Sequence, residues 1–321
     1  MKAIIQNEFG DTDVLTYSDV ETPKIKDSEC LIKVAFTSVN YADIKARNGK
    51  KLKGNFPLTL GLDCAGTIVD NLPNSGFSIG DRVIAFPYDG SYAEKVIADE
   101  SLVFKIPDSL TFEQAASMPT VSILAYILLH DIAQIRKSDS IVIHSAAGGV
   151  GSMLVQMAKL AGVQKIFATV GSRDKVSYVQ KLGADVVCTY DTFVDEVLKN
   201  TDQKGANIIF DSVAGDVTRL SLDCLAFYGT LVQFGNSSGE AGTIKTSDVH
   251  SSCRNIKGFS LGTTRKHSPA RLAPIAKRVI KLFEESQIVL PIAKIFDLSD
   301  AAEAHKLIES RNYEGKVLLK V

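Results

Sequence analysis

From Ser117 onward, short apolar runs alternate with stretches of helical periodicity in units of roughly 20 to 30 residues, the mark of repeated βαβ construction. The runs are SIVIH (140–144), KIFATV (165–170), DVVCT (185–189), ANIIFD (206–211), GTLVQF (229–234) and NIKGFS (255–260). Six strands of this kind predict a doubly wound parallel sheet. The chain before Ser117 follows another rule, with β-rich runs AII, ECLIKVAF, LDCAGTIVD, GDRVIAF and SYAEKVIA closed by turns such as Gly80-Asp81 and Asp89-Gly90. This predicts a separate β-rich module. After Gly262 a helix is expected from Ser268 to Ser286, opened by a Ser cap and Pro269. A second is expected from Asp300 with Glu303 as its capping partner, and GKVLLKV closes the chain as a strand.

Between the first two parallel strands lies HSAAGGVGSMLVQMAKLAG (144–162). Ala146, Gly148 and Gly151 take the three small-residue positions of the G-x-G-x-x-G fingerprint: a tight turn, a bare approach to pyrophosphate and a close helix contact. The helix start that follows offers free N–H groups and a positive dipole to an anion, so Gly148, Gly149 and Val150 are cofactor-binding candidates. Met153, Leu154, Met157, Leu160 and Ala161 form the apolar face of this helix, and Gly162 can stop it in the left-handed conformation. Methyltransferases carry a glycine-rich first turn too, so the next strand has to discriminate. An NAD site places Asp or Glu about 20 residues past the glycines, to hold the ribose 2′-hydroxyl. Val170 and Gly171 stand there instead, followed by Ser172, Arg173 and Lys175, a hydroxyl and two cations suited to a 2′-phosphate. NADP(H) is the expected cofactor. Asp174, between the cations, reads as a helix-start residue.

The formal charge is -1, from 36 Lys+Arg against 37 Asp+Glu. Neither nucleic acid nor an anionic membrane is expected as a partner. The five cysteines are scattered without a CxxC pair, which argues against a disulfide framework or a zinc finger and for a reducing, cytoplasmic location. MKAIIQNEFG does not read as a secretory signal, and the longest apolar stretch, Val121 to Leu129, is too short to span a bilayer.

With AAGGVG, FDSVAGD, SLDCLAFYGTLVQFGNSSG and EGKVLLKV in this order, the chain resembles a medium-chain dehydrogenase/reductase, and within that superfamily the quinone oxidoreductase, or zeta-crystallin-like, branch. The resemblance covers essentially the whole chain. It implies a GroES-like catalytic domain (1–117 and 262–321) interrupted by a Rossmann domain (118–261). Zinc alcohol dehydrogenases of the superfamily hold metal with Cys, His and Cys. Motif alignment puts Asn40 of SVNYADI, Leu62 of LGLDCAG and Thr120 of MPTVSILAY at those places, and leucine cannot ligate at all. The four-cysteine structural zinc loop is also missing, so no metal is expected and alkoxide activation by zinc is removed.

A hydride donor without metal needs an acceptor that is already electrophilic, such as a quinone or a conjugated carbonyl. The expected function is NADPH-dependent reduction of such a small molecule. Enoyl-thioester reduction is an alternative, and so is non-catalytic NADPH binding as a sensor or structural protein. The resemblance places Asn40 and Asp43 at the nicotinamide end with Thr120 among the cofactor contacts, Phe234, Gly235, Asn236 and Ser237 along the cofactor, and Tyr190 beside the adenosine. Tyr41 is a candidate donor to a substrate oxygen, or else a tyrosine packed at a domain edge. Relatives usually carry tyrosines where Lys45 stands and just after Gly49, so the acceptor-binding wall differs here. The cluster Lys45, Arg47, Lys50, Lys51 and Lys53 suits an anionic thioester, or is simply a solvated face.

GFSLG (258–262) matches a nucleophile elbow, but TTRKHSPARL is expected to delay the next helix to about Ser268 and leave Ser260 at a strand end. His144 is expected to be structural and bonded to backbone. The sixth strand leaves an open sheet edge, which suggests a homodimer.

Overall fold

The computed structural model describes residues 1–51, 54–71 and 75–321. Its strands in chain order are β1 (Lys2–Gln6), β2 (Thr16–Asp19), β3 (Glu29–Val39), β4 (Leu58–Thr59), β5 (Cys64–Asn71), β6 (Arg82–Ala85), β7 (Lys95–Asp99) and β8 (Val103–Lys105). There follow β9 (Ser140–Ile143), β10 (Lys165–Val170), β11 (Val186–Thr189), β12 (Ala206–Asp211), β13 (Leu225–Gln233), β14 (Asn255–Gly258), β15 (Ile292–Asp297) and β16 (Lys316–Lys320). The chain forms two compact units, Met1–Ile123 with Arg265–Val321, and Leu124–Thr264.

In the first unit, β3 is the spine of a sheet ordered β15-β16-β3-β5-β6-β8, and it also pairs β7; a smaller sheet runs β2-β1-β4. Alternation along β3 turns Cys30, Ile32 and Val34 to one face, where they pack with Ile68, Val83 and Val96. At the other end of the strand, Val39 joins Ile44, Leu60, Ile308, Val317 and Leu319 in a second core. The antiparallel register sets Val317 opposite Val39, which brings the start of β16 beside the residues that follow β3.

The second unit is a six-stranded parallel sheet in the order β11-β10-β9-β12-β13-β14. This is the doubly wound Rossmann arrangement, whose direction of winding reverses between β9 and β12. The chain is therefore a GroES-like β-rich domain joined to a Rossmann domain. The central strands are buried on both faces: Ile141, Val142, Phe167, Ala168, Ile209, Phe210, Leu231 and Val232 are all shielded from solvent. Every loop that leaves a strand's carboxyl end emerges at one edge of the sheet.

Local expectations fail at five places. The helix expected from Ser268 to Ser286 runs Leu272–Glu284 behind a single turn, Pro269–Arg271, and Ser268 makes no side-chain cap bond. The helix Leu261–His267 begins directly after Ser260, not at Ser268, because Ser260 caps it: its Oγ accepts from the Thr263 N–H (3.2 Å) and its carbonyl from Thr264 (3.1 Å). β14 accordingly ends at Gly258. The helix Gly149–Leu160 buries Met153, Leu154 and Met157, but Leu160 in its last turn is exposed. The helix Ala301–Ser310 follows Asp300 without a side-chain cap, and Glu303 instead pairs with Lys306 at 2.6 Å. Among the described residues no helix is long and apolar enough to cross a membrane.

Candidate active site

The loop after β9 is shaped by what glycine lacks. Ala146 donates its N–H to Thr169 O on the neighbouring strand (2.9 Å), and Gly148 donates back to Ser145 O (2.9 Å). The helix starts at Gly149, and its first full turn closes with Ser152 N–H on Gly148 O (2.8 Å). The N–H groups of Gly149, Val150 and Gly151 lie ahead of that bond and have no carbonyl one turn back. A Cβ on Gly151 would stand 2.3 Å from Ser145 O and 2.6 Å from Ala146 Cα, so only glycine lets the helix approach the loop this closely. This bare cradle fits a dinucleotide pyrophosphate.

His144 supports the loop through side chains, which corrects the expected backbone bonding. The Ser221 hydroxyl donates to Val217 O (2.6 Å), so it accepts from His144 Nε2–H (2.9 Å), and Nδ1 accepts from Thr169 Oγ1 (2.9 Å). Burial holds the imidazole down to about 4, a neutral strut rather than a proton donor at physiological pH. The ring stacks on Tyr190 (26° between planes), and the Tyr190 hydroxyl accepts from Ser145 N–H at 2.9 Å.

Beyond β10, Ser172 precedes a single turn, Arg173–Lys175, with Ser172 and Arg173 exposed. Asp174 is held below the usual carboxylate range first by the Ser172 side chain, consistent with a turn-start role. Asp191, after Tyr190, is likewise held low, chiefly by the Thr189 side chain and in smaller part by Arg173, an acidic neighbour the sequence reading missed. After β13, Phe234 donates to Asp211 O and Ser237 to Ser212 O (both 3.0 Å), laying Phe234, Gly235, Asn236 and Ser237 against the end of β12. A Cβ on Gly235 would stand 2.8 Å from Ser212 O. Thus Gly148, Gly149, Val150, Ser172, Arg173, Lys175, Tyr190 and Phe234 to Ser237 all lie at the carboxyl edge of one sheet.

Asn40, Tyr41, Asp43 and Thr120 belong to the other unit, where a buried polar network joins three of them. Asp63, fully buried, accepts from Ser38 Oγ (2.6 Å) and Asn40 Nδ2 (3.3 Å) on one oxygen, and from Thr120 N–H (2.8 Å) on the other. The carboxylate thus sits at the N-terminus of the helix Pro119–Ile127, where the dipole favours an anion. Lys316, from β16, donates to Val39 O (3.1 Å) and Asn40 Oδ1 (2.8 Å). Asp43 accepts the Asn40 N–H (2.8 Å) at the start of the helix Tyr41–Arg47; burial pushes its carboxyl up to about 6 against the pull of that bond. Tyr41 is exposed, and the hydroxyl of Thr120 is buried with no hydrogen-bond partner among the described residues, an orphaned polar atom that fits contact with a ligand polar group. Lys316 was overlooked in the sequence, where it reads only as part of a strand.

Arg47 leaves the basic cluster altogether. It is buried, bonded to Glu309 through two nitrogens (2.7 and 3.1 Å), to Gly10 O (3.1 Å) and to His305 Nδ1 (3.2 Å). Lys50 and Lys51 are exposed, Lys45 is half-buried, and Lys53 lies outside the described residues.

A zinc ion does not fit the three aligned positions. Leu62 has no side-chain donor and its carbonyl accepts from Arg265 (2.9 Å), the Asn40 oxygen faces an ammonium, and that buried cation would repel a second one. Among the described residues no group of three His, Cys, Asp or Glu side chains could hold a metal.

Residues 26–108 match the alcohol dehydrogenase GroES-like domain family and residues 149–278 the zinc-binding dehydrogenase family. A probable quinone oxidoreductase of Schizosaccharomyces pombe is 32% identical over 98% of this chain and 95% of its own length. A mycocerosic acid synthase-like polyketide synthase of Mycobacterium tuberculosis is 30% identical over 97% of this chain, which spans 15% of that protein. Among solved structures, Escherichia coli quinone oxidoreductase complexed with NADPH superposes with a TM-score of 0.93 at 27% identity, covering 100% of both chains. On this fold, these motifs and these relatives, the chain belongs to the medium-chain dehydrogenase/reductase superfamily, in its quinone oxidoreductase branch.

Proposed function

We propose that this oxidoreductase uses NADPH, without metal, to reduce quinones or α,β-unsaturated carbonyl compounds. The observation that carries the reading is the donor set itself: a loop that only glycine can build, two cations in place of the 2′-hydroxyl carboxylate, and a buried ammonium where a metal enzyme would keep its ligands. The cofactor supplies hydride from its nicotinamide ring. Gly148, Gly149 and Val150 would hold the pyrophosphate, Ser172, Arg173 and Lys175 the 2′-phosphate, Tyr190 the adenosine, and Phe234 to Ser237 the stretch beyond. Asn40 and Asp43 are assigned to the nicotinamide end, with the Thr120 hydroxyl among the cofactor contacts, and Tyr41 donates to the acceptor oxygen as it gains charge. With no ion to polarise a plain ketone, the acceptor must be activated by its own conjugation.

The similarity to a polyketide synthase segment keeps enoyl-thioester reduction as the competing reading. Steady-state NADPH oxidation with 1,4-benzoquinone, a 2-alkenal and crotonyl-CoA separates them. The proposal expects turnover with the first two; crotonyl-CoA alone would select the thioester, and tight NADPH binding without turnover a non-catalytic protein. The domain limits and a homodimer formed through the exposed edge strand β14 belong to the same proposal, and sedimentation tests the dimer.

A further inference from the structure

Lys316 occupies an expensive position. It is 4% exposed, its ammonium donates to one carbonyl and one amide oxygen, and no carboxylate oxygen lies within ion-pair distance of it among the described residues. In some proteins a buried charge specifies one conformation at a cost in stability. What this one specifies is readable in the chemistry of its neighbour.

An ammonium has donors only, so the end of the Asn40 amide that faces it must be the oxygen. The NH2 group then lies on the other side, where it meets the Ser38 hydroxyl (3.1 Å) and the acceptor-only Asp63 carboxylate (3.3 Å). The Ser38 hydroxyl gives its own hydrogen to the same carboxylate oxygen (2.6 Å), so toward Asn40 it can only accept. Three partners from three segments therefore dictate a single orientation. A carboxylate at position 40 would face Asp63, and an aliphatic side chain would leave Lys316 and Asp63 both short of a partner. Asp63 carries the arrangement onward by accepting the Thr120 N–H (2.8 Å), which ties Asn40 to the start of the helix that bears Thr120.

We propose that Lys316 is a positioning residue, which with Asp63 locks the amide of Asn40 in one orientation and so holds Asn40 and Thr120 in a fixed relation for hydride transfer. The functional half of this rests on the proposed assignment of Asn40 to the nicotinamide end and of Thr120 to the cofactor contacts. The lock itself rests on the hydrogen bonds alone.

The two halves are tested by substitutions that separate donor from charge. Lys316→Gln keeps an N–H donor and removes the charge; Lys316→Met removes both. With 1,4-benzoquinone and NADPH, Lys316→Gln should keep kcat within about threefold of the native protein, whereas Lys316→Met should lose more than tenfold. NADPH binding, read by nicotinamide fluorescence, should change less than threefold in either. Equal kcat losses in the two variants would reduce Lys316 to a structural charge and overturn the proposal. If Lys316→Met fails to fold, Asp63→Asn replaces the acceptor-only group with one that can turn; kcat unchanged in that variant would overturn it as well. A native protein that turns over no quinone defeats the function assigned above, and the lock is then judged on the Asn40 side-chain amide in ¹⁵N–¹H spectra, identified by its loss in Asn40→Asp. Slow hydrogen exchange there in native protein and Lys316→Gln supports the lock, and fast exchange in either sinks it.

Discussion

The glycine loop and the Asn40 network, the two regions proposed to meet the cofactor, are built on opposite physics. Around Gly148 and Gly151 the polar groups on offer are backbone N–H donors, and the fold is limited by space: one added carbon lands 2.3 Å from a carbonyl. Around Asn40 the groups are side chains, and the limit is charge: Asp43, Asp63 and Lys316 are all buried, each tolerable only because of its partners. A region limited by space is broken by adding an atom. A region limited by charge is broken by adding a proton or turning an amide, with no change in volume.

The largest effect should come from Gly151→Ala. The clash involves backbone atoms that no rotamer change relieves, so the loop must move, at about 1–3 kcal/mol of stability, and NADPH affinity should fall well beyond tenfold. Gly171→Ala is the control, since a Cβ there meets nothing within 4 Å. Calorimetry and fluorescence titration that found the two variants alike would end the claim that space governs this region. Next in size, Arg173→Ala or Lys175→Ala should remove a charge-assisted contact to the 2′-phosphate, about 1.5–3 kcal/mol, or roughly ten- to a hundredfold in affinity. NADH binding should hardly change. Losses of equal size for both cofactors would contradict the 2′-phosphate assignment.

The charge-limited region is sharpened by pH. Burial holds His144 down to about 4 and, together with Arg47, His305 down to about 3. The unfolded chain therefore takes up their protons first, and their contribution to stability, full above about 6.5, is lost as the pH falls toward these values. Asp43 has the opposite sign. Pushed up to about 6, it binds its proton more tightly in the folded protein, so its contribution is full below about 3.8 and is lost as the pH rises through 6. Between pH 6 and 4 it partly offsets the histidines. Asp43→Asn, which keeps an acceptor for the Asn40 N–H, should steepen the fall of Tm on acidification; a shallower fall would show that Asp43 is not the buried acid its surroundings imply.

The space-limited region was far more legible in the sequence. Its information is local: the fingerprint spans six residues, the strand and helix flank it directly, and Ser172, Arg173 and Lys175 follow the next strand. The network around Asn40 is assembled by strand register, which no local pattern reports. Asn40 and Lys316 are 276 positions apart, and Arg47 lies 258 from His305 and 262 from Glu309. Read along the chain, Lys316 is one more residue of a strand and Arg47 one more cation in a basic run. Only the pairing of β16 with β3, and the packing of the helix Ala301–Ser310 in the same core, gives them their partners.

The smallest expected effect separates a motif from a mechanism. A delayed helix is the sequence argument against a nucleophile elbow at GFSLG, and a helix in fact follows at once. The exclusion stands on other ground. The Ser260 backbone is not left-handed as the strained elbow requires, and its hydroxyl is engaged as a cap on Thr263 N–H. Ser260→Ala should therefore cost about 1 kcal/mol of stability, as an exposed cap does, and leave quinone turnover and NADPH affinity where they were. Loss of an esterase activity in that variant, with its stability intact, would reverse the assignment and return the motif to catalysis.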